Sequence, residues 1–249
     1  AALRLEVMAT QVAQSSTDGA ATLDFDMVRG FLMHARGELT LARELVQETK
    51  QKSREKGYLL TEAHCEYFIA MRNAEAGDFE TAITQIEHCI GIYESMGDTR
   101  GLALATLLAG IFSSRLDNHV SAKRFFDDAS KIFLELGMFL QFCTAQANLA
   151  DVFVSEDELE KASEIALSAL HQEETLGLSA AATELHISLG DIERHRDHLE
   201  KSRMHHQAAL HWQRLAGSQN ASISEFNLIL LDIADHDFEF ARPKMKLIR

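Results

Sequence analysis

Small residues recur every 40 positions along this chain, and large apolar residues fill helical spacings between them. Glycine stands at Gly57, Gly97, Gly137, Gly177 and Gly217. A second column runs through Ala42, Ala82, Ala122 and Ala162, with Ser202 in the fifth place. A third reads Gly30, Ala70, Gly110, Ala150 and Gly190, and a fourth Thr49, Cys89, Ala129, Ala169 and Ala209. One period held across four columns marks an array of repeated helical hairpins. Leu107, Leu108, Phe112, Phe125, Phe126, Ile132 and Phe133 fall at helical spacing around the small positions of one unit. That is the pattern of a core face.

In the unit from Leu102 to Gly137, the pattern predicts a first helix near 100–116 and a second near 119–136. Asp117-Asn118-His119 forms the turn between them, and equivalent turns read Gly37-Glu38, Gly77-Asp78, Glu156-Asp157 and Arg196-Asp197. Asp and Asn there are expected to cap helix starts by accepting free N–H groups. The period-40 glycine is expected to end each second helix in a left-handed conformation. Where the two axes cross, Gly110 and Ala122 are expected to meet, with no room for a larger side chain.

The chain is expected to be a single repeat domain over residues 1–249. A half hairpin at 1–17 precedes hairpins at about 22–57, 58–97, 98–137, 138–177 and 178–217, and a weaker final hairpin covers 218–249. Ala2 lies 40 residues before Ala42, so the first helix looks like the second half of a hairpin. The chain is therefore expected to be a fragment of a longer protein. Ala147-Asn148-Leu149-Ala150 through Ala162 mirrors Phe226-Asn227-Leu228-Ile229 through Ala241, the second copy set one residue early.

One Pro in 249 residues suits an almost wholly helical chain. The formal charge of −14 opposes direct nucleic-acid binding, which calls for a basic footprint. No stretch approaches the roughly 18 unbroken apolar residues of a membrane span, so no membrane partner is expected. Cys65, Cys89 and Cys143 form no CxxC and are expected to be buried, reduced thiols of a cytoplasmic protein.

The spacing resembles the tetratricopeptide repeat, in which a small residue on the first helix is followed twelve later by Ala, then a large apolar residue, then Ala. Gly110, Ala122, Phe126 and Ala129 match that motif in full. Ala150, Ala162 and Ala169 match its small positions, with Ala166 in the large one. The 40-residue unit is similar to those of kinesin light chains, spindle-orientation scaffolds and MalT-like regulators. The resemblance implies an all-α fold, a right-handed α-solenoid of antiparallel helical hairpins with about 12–13 helices, whose concave wall comes mostly from first helices.

On that implication the groove residues are Met27, Phe31, His64, Tyr67, Met71, Leu107, Ile111, Arg115, Asn148, Asp151 and Arg194. The first half of this wall is apolar and the second polar and charged, a surface suited to an amphipathic helix or an extended peptide. The amide of Asn148 can pair with both N–H and C=O of a peptide backbone. The family's two-carboxylate clamp is absent.

Six histidines crowd residues 186–211, but no Cys joins them and His206 falls in the large-apolar column, so no metal or other cofactor is expected. No phosphate loop, GxSxG or HExxH occurs, and the pairs Asp127-Asp128 and Glu173-Glu174 point to different sides of a helix. The expectation is a non-catalytic scaffold that binds a protein or peptide. The alternative is an effector-sensing domain of a larger MalT-like signalling protein. Self-association into a homodimer through uncovered array ends is a third expectation.

Overall fold

The computed structural model describes residues 19–176, 182–215 and 222–234. They form eleven helices: α1 (Gly19–Ala35), α2 (Leu39–Lys56), α3 (Leu59–Glu75), α4 (Phe79–Met96), α5 (Thr99–Arg115), α6 (His119–Glu135), α7 (Phe139–Ser155), α8 (Leu159–Leu176), α9 (Ala182–His195), α10 (Leu199–Leu215) and α11 (Ser222–Ala234). The expected half hairpin at 1–17, Gly177, Gly217, and the tail beyond Ala234 lie outside the described residues. No described helix is long and apolar enough to cross a membrane.

Each described turn is fixed by the same backbone bond. After α2, α4 and α6, the glycines Gly57, Gly97 and Gly137 adopt φ of 73°, 69° and 67°. The next residue then donates its N–H back across the turn: Tyr58 to the Ser53 carbonyl at 2.9 Å, Asp98 to Tyr93 at 3.0 Å and Met138 to Phe133 at 2.8 Å. This satisfies carbonyls that the helix end leaves free. The turns after α1, α3, α5, α7 and α9 repeat the bond, from Glu38, Asp78, Asn118, Glu158 and His198.

These turns correct one expectation. The left-handed residue in them is Gly37 or Gly77 in the first two and Asp117, Asp157 and Asp197 in the others, at φ of 55° to 61°. Those three aspartates are thus the positive-φ residues of the turn, not helix caps. Asp tolerates this region better than most side chains, though at a cost that glycine avoids. Asp78 and Asp98 do cap, accepting from the backbone N–H of Thr81 at 3.1 Å and of Gly101 at 2.9 Å.

The described residues fall into two compact units, one ending at Asn118 and the other beginning at His119. In the first, each helix from α1 to α5 packs on the next, and α1 also meets α3. In the second, each helix from α6 to α11 packs on the next, and α7 also meets α9. Two pairs of first helices therefore lie side by side, α1 with α3 and α7 with α9. Every described member of the three non-glycine-turn columns is buried, as is the column at Val46, Ile86, Phe126, Ala166 and His206.

Glycine at the first-helix column is a clearance for that last column. A Cβ on Gly30 would come within 2.3 Å of Val46 Cγ2, but only 3.6 Å from the Ala42 carbonyl oxygen. A Cβ on Gly190 would come within 2.5 Å of the His206 ring. The crowding partner in these two hairpins is the side chain sixteen residues later, not the small residue twelve later. The small residue contributes differently: Ser202 Oγ donates to the Gly190 carbonyl at 2.7 Å.

Gly190→Ala is expected to cost about 1–3 kcal/mol, because the buried imidazole must leave its rotamer or the helices must part. Calorimetric melting checks it; an unchanged melting temperature would contradict the clearance. Asp117→Gly and Asp157→Gly are expected to act in the opposite sense. Each should stabilise by about 0.5–1 kcal/mol through relief of left-handed strain, read as a rise of ~2 °C in melting temperature.

Candidate functional site

A cavity of about 260 Å³ opens on the first unit, lined by Met27 and Phe31 of α1, His64 and Tyr67 of α3, Tyr93 of α4, and Asp98, Arg100, Gly101 and Leu104 around the start of α5. The first helices α1, α3 and α5 build most of it, with Tyr93 of α4 beneath, which is why residues 37 and 40 apart in sequence converge. Its walls are mostly apolar. Tyr93 is buried beneath it, and Gly101 keeps the ring there, since a Cβ on Gly101 would strike Tyr93 Cδ1 at 2.7 Å. Burial pushes the Tyr67 phenol up to about 12 and raises that of Tyr93 as well, so both are neutral hydrogen-bonding groups. His64 faces Asp98 at 4.0 Å, and its ring lies 5.7 Å from that of Tyr93.

Phe31 also stacks edge-on against Phe68 at 4.5 Å, and Phe68 lines a second cavity of about 360 Å³ with His34, Leu39, Thr40, Arg43, Arg72 and Glu75. The Arg72 guanidinium lies over the Phe68 ring, donates to His34 Nε2 at 2.5 Å and pairs with Glu75. An aromatic wall thus separates an apolar cavity from a cationic one.

Four of the residues expected in a groove, Met27, Phe31, His64 and Tyr67, share the first cavity. Met71 and Ile111 are half-buried and Arg115 is exposed, all outside it. Leu107 is 8% exposed and packs in the core. Tyr93, Asp98, Arg100 and Gly101 were not expected. Tyr93 comes from a second helix, Asp98 from the turn after it, and Arg100 and Gly101 from the first residues of α5, ahead of the first-helix positions that the offsets from the small columns select. The signal that could have found them is Asp98 three residues before Gly101, a cap followed by a glycine at a helix start.

The second unit carries a polar wall on α7, α9 and α11. Asn148 is half-buried and donates one amide hydrogen to the Thr144 carbonyl at 2.7 Å, leaving its carbonyl oxygen open. Asp151 accepts from Ser188 Oγ at 2.9 Å. Arg194 pairs with Asp191 at 3.2 Å, and Asn227 donates to the same Asp191 oxygen at 3.4 Å. Part of the Asp151 side chain reaches water, yet desolvation by the surrounding helices raises its carboxyl to about 6. The Ser188 bond opposes the rise, and the charges of Asp191 and Glu184 add to it. Burial also raises Glu184.

The histidine-rich segment separates into distinct roles. His186 and His205 face each other with Nδ1 atoms 3.1 Å apart. Desolvation and the neighbouring ring lower His186 to about 4. His195 donates to the Asp191 carbonyl at 2.8 Å, and His198 bonds Glu193. Among the described residues no group of three His, Cys, Asp or Glu is placed to hold a metal ion. Cys65, Cys89 and Cys143 are buried thiols outside any disulfide, and burial pushes those of Cys65 and Cys89 up to about 12.

No protein-family model matches the chain, and no curated protein matches it. Solved structures do. It is similar to the apo form of RapI with a TM-score of 0.74 at 16% identity, covering 100% of this chain and 71% of that one. It is similar to NprR in complex with its cognate peptide NprX with a TM-score of 0.71 at 12% identity, covering 98% and 70%. A signal-transduction ATPase with numerous domains and a tetratricopeptide repeat sensor, from Pyrococcus horikoshii, gives a TM-score of 0.69 at 15% identity, covering 94% of this chain and 36% of that one. The fold is a tetratricopeptide-type α-solenoid of antiparallel helical hairpins. The first cavity lies chiefly on first helices of the first unit, and the polar wall on first helices of the second.

The raised Asp151 carboxyl carries a sign. In the unfolded chain it ionises near 3.9, and in the fold near 6. Its contribution to stability is complete below about pH 4 and is lost as the pH rises through 6. Asp151→Asn keeps an acceptor for Ser188 and removes the charge. It is expected to raise the melting temperature by ~2 °C at pH 7.5 and to leave it unchanged at pH 3.5. A lower melting temperature at pH 7.5 would show that the carboxylate is well compensated.

Proposed function

We propose that this chain is a non-catalytic scaffold that captures a peptide or helix of a partner protein along the first helices of its array. The observation that carries this reading is the cavity of about 260 Å³ where Met27, Phe31, His64 and Tyr67 converge with Tyr93 and Leu104. An apolar cleft with a few polar groups at its edge is the form a side-chain anchor takes. Met27 adapts to varied apolar shapes, and Tyr67 offers a flat ring with a hydroxyl. On the second unit, considered by itself, Asn148, Asp151 and Arg194 present polar groups of the kind that bond a peptide. The NprR structure, which holds its cognate peptide, supports this reading by fold.

A second reading is favoured by one observation. The similar ATPase uses a tetratricopeptide repeat sensor, and this chain spans about a third of that protein. The same array, set in a larger signalling protein, senses an effector and passes its binding on to a neighbouring domain. The two readings share the wall and differ in the consequence of binding.

The test is affinity capture from source-cell lysate with the wild-type chain and a Phe31→Ala, Tyr67→Ala variant, read by quantitative mass spectrometry. Truncating two anchors of the cavity is expected to reduce capture of the specific partner by about tenfold or more. Melting of both proteins controls for folding. Equal capture by two folded proteins would remove the cavity from the interface.

A further inference from the structure

The first helices of the second unit carry more negative charge than the protein neutralises. Asp151 on α7 and Glu184 on α9 have no cationic partner among the described residues. Among the described residues, Asp151 accepts a hydrogen bond through Oδ1 alone, from Ser188. Asp191 is paired with Arg194, but through Oδ1 alone, which also takes the Asn227 amide. Asp151 Oδ2, Asp191 Oδ2 and both Glu184 oxygens accept from no described group. Three carboxylates and one arginine leave the wall two charges short.

A second observation points the same way. His206 on α10 is 0% exposed, and neither ring nitrogen has a hydrogen-bond partner. Its Nε2 is aimed at Asp191 Oδ1 from 3.8 Å, too far for a hydrogen bond. A buried imidazole without partners costs free energy, and the solvent-exposed carboxylates of Asp151 and Glu184 stand against like charge, with no cation beside them among the described residues. Both are left unsatisfied at one place on the wall. A cation at Asp151 and Asp191 would relieve the repulsion that Asp151 now meets from Asp191 and Glu184.

We propose that this wall is a subsite for one basic side chain, arginine or lysine, of the bound peptide. The inference rests on the peptide-capture reading and adds to it the chemistry of the occupant. Ser188 and Asn227 hold one oxygen of each aspartate, so the free oxygens are oriented for donors arriving from the open side. A guanidinium carries five donors in a planar fork and suits several carboxylate oxygens at once. The polar side chain of Asn148 lies one turn before Asp151 on α7, where it can bond the peptide backbone next to that residue.

The test uses two fluorescent octapeptide pools with randomised apolar and polar positions and one fixed residue, arginine in one pool and its neutral isostere citrulline in the other. Fluorescence anisotropy measures both against the 249-residue chain and against an Asp151→Asn, Glu184→Gln variant. The expected result is arginine-pool binding about tenfold tighter than citrulline-pool binding, a preference the variant loses while its melting temperature does not fall. Equal binding of both pools overturns the subsite and leaves peptide capture standing. No binding of either pool overturns both. A preference that survives in the variant places the cation elsewhere and overturns the assignment to Asp151 and Glu184. A variant that melts lower than wild type shows these carboxylates to be satisfied within the fold, which also overturns it. Spermidine binding as tightly as the arginine pool would make the occupant a free polyamine rather than a peptide side chain.

Discussion

The closeness of the two helices within a hairpin is the constraint on which the rest of the structure depends. At Gly30 and at Gly190 the first helix has no side chain, and the space goes to Val46 or His206 from the second. The second helix replies with a small residue, Ala42 or Ser202, fully buried against the first. Such a crossing leaves no slack for a methyl group, so the hairpin forms in one register. With the register fixed, first helices within a unit come together, α1 beside α3 and α7 beside α9. The cavity on α1, α3 and α5 and the polar wall on α7, α9 and α11 are consequences of that stacking rather than of any local motif.

The hairpins were legible because packing repeats with the period of the sequence. Ala42, Ala82, Ala122, Ala162 and Ser202 are all completely buried, as a column of small residues predicts. What sequence reasoning misassigned was the turn. Asp117, Asp157 and Asp197 carry a side chain suited both to capping and to the left-handed region, and composition alone does not choose between those uses. The register decides: each stands where Gly37 and Gly77 stand in the first two hairpins, one position earlier than a cap. The same ambiguity did not arise at Asp98, whose neighbour Gly97 already takes the left-handed place.

The candidate site was half legible for a related reason. Offsets from the small columns locate first-helix residues, so Met27, Phe31, His64 and Tyr67 could be named together. Leu107 obeyed the same offsets but is buried, because those offsets do not distinguish a side chain turned to the groove from one turned between hairpins. Tyr93 and Gly101 could not be found this way, since their juxtaposition depends on the path of a turn. The charge state of Asp151 was likewise invisible. A carboxylate on a helix looks the same in sequence whether a cation faces it or two more carboxylates do.

His206 joins these arguments. It occupies the column of Val46, Ile86, Phe126 and Ala166, each of them 0 or 1% exposed. An aliphatic residue of similar size would fill the notch over Gly190 without leaving two nitrogens unsatisfied. Burial disfavours the charged ring, and the Asp191 carboxylate acts against that, so the imidazole stands between two opposing influences. Sequence patterns that agree at every level specify a fold, and departures from them concentrate where something besides folding is served. In this chain the departure from the column, the aspartate it faces and the uncompensated carboxylates beside it lie on one face of the second unit. In the first unit the corresponding column position is Val46, and the wall it supports is apolar. Within the second unit the buried polar residue of this column is confined to the hairpin of Asp191, since apolar Ala166 holds the same position in the hairpin that carries Asn148 and Asp151.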